Sequence, residues 1–299
     1  MLARSVSCLV LVAFAAVAQA APRDFAAQQP IRTPIRALND SQISAFRPYA
    51  FYASAGYCSP PTTLQWDCGT NCEATPSFIP VASGGDSDNV QFWYVGYDPS
   101  LKTVIISHQG TKFDEIEPVL TDVDIVMTTL RPSLFPGISP LVEVHSGFAD
   151  AQSKAARQVL AAVQTSLSLY GAKQVTMVGA AIALLDSVFL PKHISGVSFK
   201  TVVYGLPRVG NQHFADYVDA HVTLTHINNE QDPVPILPGM YLGFVHPSGE
   251  VHIQDSGMWL QCPGQDNPST ECIVGDVPEF GDGNVTDHDG PYDGVEMGC

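Results

Sequence analysis

An α/β domain with a mixed, mostly parallel sheet, helices on its flanks and a hairpin at either end is the architecture this sequence of 299 residues predicts. Strand-like and helix-like segments alternate through the middle of the chain, the pattern of strand–helix–strand units with a parallel sheet. Pairs of β-rich runs joined by tight turns stand at both ends of that block. No repeat period and no linker interrupts residues 90–299, which favours one domain.

The elements follow in order. Asn39 or Asp40 can cap a helix whose apolar positions Ile43, Phe46, Tyr49 and Ala50 recur at helical spacing, ending near Gly56. Residues 59–89 are turn-rich. Val90–Tyr97 and Lys102–His108 form a hairpin about Asp98-Pro99-Ser100. A long amphipathic helix covers Gly147–Tyr170, with Ala151, Ala155, Val159, Ala162 and Val163 on one side. Strand 174–178 runs into helix 180–190, then come strand 200–204, helix 212–219 and strand 222–227. A last hairpin, 250–254 and 258–261, turns on Asp255-Ser256-Gly257.

The first twenty residues read as a secretory signal: Arg4, a short apolar run from Cys8 to Val17, and the small-x-small site Ala18-Gln19-Ala20. Residues 21–38 lack periodicity and read as a flexible leader or propeptide, leaving 39–299 as the folded domain. No later stretch approaches the ~20 apolar residues of a membrane span. Composition is globular, with 45% hydrophobic and 15% charged residues. Thirty acidic against 14 basic residues, a formal net charge of −16, argues against nucleic acid and anionic membrane surfaces as partners.

Without Cys8, six cysteines remain: Cys58, Cys68, Cys72, Cys262, Cys272 and Cys299. In an exported chain they suggest three disulfides, with fifteen connectivities possible. The locally cheapest set pairs Cys68 with Cys72 and Cys262 with Cys272, leaving Cys58 for Cys299. A zinc site is disfavoured, since only one pair is closely spaced and no histidine pair matches it. The sequons at Asn39 and Asn284 are candidate glycosylation sites consistent with export.

Chemistry in such sheets gathers at the carboxyl ends of the strands. Those ends here are His108-Gln109-Gly110-Thr111, Gly179, Tyr204–Arg208 and Asn228–Asp232. Asp232 stands where a carboxylate could hold an imidazole, and His246, His252 and His288 are all available. Asp before Pro is also a common turn residue, and a histidine inside a strand, such as His252, is commonly structural. His288 lies instead in the polar, Gly-rich segment TDHDGPYDG.

Across about 51–299 the chain resembles the fungal class 3 lipases, secreted α/β-hydrolases that cleave triacylglycerol esters. VIISHQGT (104–111), VHSGFADAQ (144–152), VYGLPRVGNQHFADYV (203–218), LTHINNEQDPVPILPG (224–239), VHIQDSG and DHDGPYDGVEMGC carry the resemblance. It implies Asp232 as triad acid, His288 as triad base, and Thr111 after Gly110 as the oxyanion-hole residue at a lid hinge. It also implies the Cys58–Cys299 and Cys68–Cys72 pairs, a neutral lipid or ester substrate at an oil–water interface, and no metal or organic cofactor. The lid would follow the hinge, where Phe113, Ile116, Leu120 and Val123 recur at near-helical spacing; an ordinary surface helix accounts for that stripe equally well.

One motif departs. Family members carry G-x-S-x-G after the strand that here reads QVTMV, with the serine as nucleophile on the tight corner. This chain has Val178-Gly179-Ala180-Ala181-Ile182, as though four residues resembling His-Ser-Leu-Gly were missing between Gly179 and Ala180, and G-x-S-x-G occurs nowhere else. Ser187 sits within an apolar helix, and Ser146 is on no strand end. Four residues are about one helical turn, so the loss rotates the downstream face by only ~40°. Either the helix starts one turn late, or the end of the strand unravels. The fold is expected to survive, and hydrolysis is expected to be lost or strongly impaired. A lipase-fold protein that binds lipid or an interface without turnover is the alternative.

Overall fold

The computed structural model describes residues 33–110 and 126–299. The strands are β1 (Arg36–Ala37), β2 (Ile79–Gly84), β3 (Trp93–Asp98), β4 (Thr103–His108), β5 (Met127–Thr129), β6 (Glu143–His145), β7 (Gln174–Gly179), β8 (Ser198–Tyr204), β9 (Gly210–Asn211), β10 (Leu224–Asn229), β11 (Phe244–Val245), β12 (Glu250–Ile253) and β13 (Trp259–Cys262). The helices are α1 (Asp40–Ser44), α2 (Arg47–Ala55), α3 (Pro60–Gln65), α4 (Thr70–Glu73), α5 (Ser146–Tyr170), α6 (Ala181–Phe189), α7 (Gln212–His221) and α8 (Ile273–Asp276).

Among the described residues nine strands form the main sheet, in the order β1-β13-β12-β10-β8-β7-β4-β3-β2. The centre, β4 through β7, β8 and β10 to β12, is parallel; the outer strands are antiparallel. This is the mixed sheet that the alternation and the flanking hairpins predict. Both faces are covered, so the central strands are apolar on both sides. Val104 and Ile106 face one core with α5 and α6, while Ile105 between them faces the other with α2. Val203 and its neighbours Val202 and Tyr204 divide in the same way, as the period of two in a strand requires.

Every residue of α6 is buried, which suits a helix apolar all round and packed against the sheet. Among the described residues no helix is long and apolar enough to cross a membrane. Three disulfides close as Cys58–Cys299, Cys68–Cys72 and Cys262–Cys272.

Several details depart from expectation. The helix predicted from residue 39 to 56 is two helices, because Pro48 sits in the first turn of α2, where its missing N–H is harmless, whereas a continuous helix would lose a bond there. Residues 59–89 hold α3, α4 and β2 as well as turns. Within the stretch read as a leader, Arg36 and Ala37 pair with Gln261 and Leu260. A second antiparallel sheet, β11-β9-β6-β5, has no counterpart in the sequence reading.

Candidate active site

The parallel strands end on one side of the molecule, and the ends of β7, β10 and β8, with Gln109 and Gly110 after β4, build a pocket. The first is the corner after β7. This strand stays paired to its last residue, Val178 with Ser107 of β4 and Gly179 with Val203 of β8. Gly179 has φ +125°, and a Cβ there would stand 2.6 Å from the His108 carbonyl oxygen, so only glycine fits. Ala180 caps α6 without a side-chain bond, and its carbonyl accepts from the Leu184 N–H at 3.1 Å. Two residues therefore make the whole corner. The strand does not unravel; the helix begins late.

The second end follows β10. Asp232 is fully buried. Its backbone N–H donates to the Asn229 carbonyl at 3.0 Å, and its Oδ1 accepts from the Val234 N–H at 2.8 Å. Its other oxygen, Oδ2, lies 2.9 Å from Nδ1 of His288, which sits on the short turn Val285–Asp289. A carboxylate can only accept, so Nδ1 carries the proton and Nε2 keeps its lone pair. Burial alone would push the imidazole down. The Asp232 carboxylate outweighs it by charge and hydrogen bond, with help from Asp289, and the His288 pKa is raised above its ordinary 6.5.

The third end, after β8, is Gly205. A Cβ on it would stand 2.5 Å from His288 Cε1 and 3.0 Å from Asp232 Oδ2, and its φ is +52°. The bare backbone at Gly205 is the floor on which the imidazole rests.

Between these ends lies a pocket whose lining includes Tyr57, Gly110, Phe148, Ala180, Ile182 and His288. Among the described residues that line it there is no serine, threonine or cysteine; the hydroxyls are phenols, of Tyr57 and Tyr204. Tyr204 donates to the Phe46 carbonyl at 3.1 Å, and burial raises the Tyr57 phenol well above its ordinary range. Such a site can take a proton at His288 Nε2, yet the corner below it carries only a methyl group.

Of the three candidate histidines, only His288 meets Asp232. His246 is buried elsewhere with Nε2 bonded to the Pro235 carbonyl, and His252 contacts the Glu271 and Glu230 carbonyls. Ser187 is interior, its Oγ donating to Leu184 O at 2.6 Å. Gly110 borders the pocket, whereas Thr111 and the segment with Phe113, Ile116, Leu120 and Val123 lie outside the described residues. Glu250 gathers with Cys262 and Cys272, but those sulfurs are joined to each other and offer no thiolates to a metal.

A second buried couple was missed from sequence. His108 Nε2 lies 2.7 Å from Asp186 Oδ2, and Gln152 donates to Asp186 Oδ1 at 2.8 Å. A lone carboxylate in an otherwise apolar helix was the signal available.

The sequence and the fold match known proteins. Residues 105–242 match the family model for class 3 lipase. The secreted mono- and diacylglycerol lipase LIP2 of Malassezia restricta is 30% identical over 72% of this chain and 69% of its own length. The secreted mono- and diacylglycerol lipase 3 of Gibberella zeae is 32% identical over 72% of this chain and 70% of its own. The chain belongs to the class 3 lipase family. Among solved structures, the Rhizomucor miehei lipase in its propeptide complex superposes with a TM-score of 0.75 at 26% identity, covering 89% of this class 3 lipase chain and 84% of its own. The fold is thus an α/β-hydrolase, and the disulfides, together with relatives that are secreted lipases, assign this family member to the extracellular space.

Proposed function

We propose that the protein is a lipase by descent and architecture whose chain, as it stands, does not turn over esters. The observation that carries this reading is the Asp232–His288 couple facing a corner that ends in Gly179-Ala180. In acyl transfer the imidazole takes a proton from a hydroxyl placed beside it, and the N–H after that hydroxyl helps hold the oxyanion. Asp232 and His288 fit the roles of acid and base. Without the serine, neither the acyl-enzyme nor half of the oxyanion hole can form, a loss on the order of 10⁶ in kcat. The substrates such a site would take are neutral glycerol esters, as the relatives' names indicate, with Gly110 and Thr111 supplying the remaining oxyanion donors and residues 113–123 the lid.

Hydrolysis of p-nitrophenyl esters of short and long chain length tests this. The chain is expected to show no turnover above its His288→Ala variant and no labelling by a fluorophosphonate. Inserting His-Ser-Leu-Gly between Gly179 and Ala180 is expected to create both. Turnover by the unaltered chain that His288→Ala abolishes would sink the proposal. The mass of the peptide across Lys173–Lys192 in the secreted protein shows whether the short corner is the natural form.

A second reading, lipid binding without turnover, is favoured by one observation: the described lining of the pocket is mostly apolar, with Phe148, Ile182, Val234 and Met297 in it. Saturable binding of a non-hydrolysable ether lipid, weakened by Ile182→Asp, is its signature.

A further inference from the structure

Asp232 and His288 are 56 residues apart in the chain, and each sits on an irregular segment rather than on a strand or a long helix. Something must fix one segment to the other, because a hydrogen bond of 2.9 Å tolerates only a few tenths of an ångström of drift. The connection lies beside the couple, not within it.

Three bonds bridge the two segments. The Gln231 N–H donates to Asp287 Oδ2 at 3.1 Å, and Asn229 Nδ2 donates to the Asp287 carbonyl at 3.1 Å. In the opposite direction, the Asn284 N–H donates to the Gln231 carbonyl at 2.8 Å. Asn284 Nδ2 then donates to Asp287 Oδ1 at 2.7 Å, which aims the carboxylate. Gln231 directly precedes Asp232, and Asp287 directly precedes His288. Asp287 is buried, and its carboxylate faces N–H donors on both sides.

We propose that Asp287 is the positioning residue of the acid–base couple, holding the Asp232 segment against the His288 segment through its carboxylate and its backbone carbonyl. The proposal rests on reading Asp232 and His288 as the functional pair, but it does not require the chain to hydrolyse anything. It also accounts for the acidic DHDG run: His288 is the base, Asp287 holds, and Asp289 adds charge. The charges that act on His288 are those of Asp232 and Asp289. Asp287 also interacts by charge with Asp232, so the Nδ1 proton signal is what separates an effect of geometry from loss of the Asp287 charge.

That separation supplies the test, run on the intact chain by following the His288 ring in nuclear magnetic resonance. Asp287→Ala is expected to lower the His288 titration midpoint by about one pH unit, a tenfold change in its proton affinity, and to weaken the far-downfield signal of its Nδ1 proton. Asp289→Asn is expected to lower the midpoint by loss of charge while leaving that proton signal in place. If Asp287→Ala lowers thermal stability but moves neither the midpoint nor the proton, Asp287 is merely structural and the proposal fails. Should Asp287→Ala not fold, Asn229→Ala removes one bridging bond, and the same two signals decide. These readouts are independent of turnover, so failure of the insertion to restore activity would leave this inference standing.

Discussion

At the scale of single residues, the site depends on what is absent from two backbones. Gly205 leaves room for the His288 ring, and Gly179 lets the chain pass the His108 carbonyl. Gly205→Ala is expected to push the imidazole off Asp232. It should lower the measured His288 pKa toward or below 6.5 and destabilise the fold by about 1–3 kcal/mol, given the clash and the positive φ. A ring titration alongside a thermal melt checks both; an unchanged pKa would show that the ring does not rest on that backbone. Sequence pointed to Asp232 and His288 through their motifs and the strand-end rule, and the structure brings the two side chains together. Sequence did not reveal Gly205 as the floor, because that contact joins residues 83 positions apart, and a Gly after a strand reads simply as a turn. Thr111 and the apolar stripe from Phe113 to Val123 remain expectations of sequence alone.

At the scale of elements, α6 holds its place although its N-terminal corner is short and uncapped. The Asp186 carboxylate fixes it, reaching His108 on β4 and Gln152 on α5. One side chain thus ties the helix to two neighbouring elements. Asp186→Ala strands His108 and Gln152 in the interior and is expected to cost about 3–5 kcal/mol, read as a lower urea midpoint; a loss under about 1 kcal/mol would exclude the pinning role. The parallel centre was legible because its strands are long, β-rich and separated by helical periods. The sheet β11-β9-β6-β5 was not, since strands of two or three residues carry no periodicity and exist only through their partners. The late start of α6 was legible as one of two options. The intact pairing of Gly179 decided between them: unravelling β7 would have broken ladder bonds on both sides, whereas a late helix loses one turn at a free end.

At the scale of the whole molecule, buried titratable groups set opposing responses to pH. Burial lowers His226 and His246 to about 3, helped by the charge of His246 on the first and of Arg208 on the second. Their unfolded values lie near 6.5, so the unfolded chain binds more protons and stability falls as pH drops from about 6.5 toward 3. Burial raises Glu250 to about 7. There the folded state binds the extra proton, and stability is lost as pH rises from about 4.5 through 7. Urea midpoints over a pH series are expected to show Glu250→Gln gaining on the parent by on the order of 2–3 kcal/mol across that rise; parallel curves would refute the assignment. The Cys58–Cys299 bond, finally, joins positions 241 residues apart, which makes nearly the whole domain a covalent ring. A single protease cut anywhere within that ring opens it without releasing a fragment. A nicked molecule should migrate as one species until a reductant is added and as two pieces afterwards, so a secreted protein of this build can be clipped in a rich enzymatic environment and still remain one molecule.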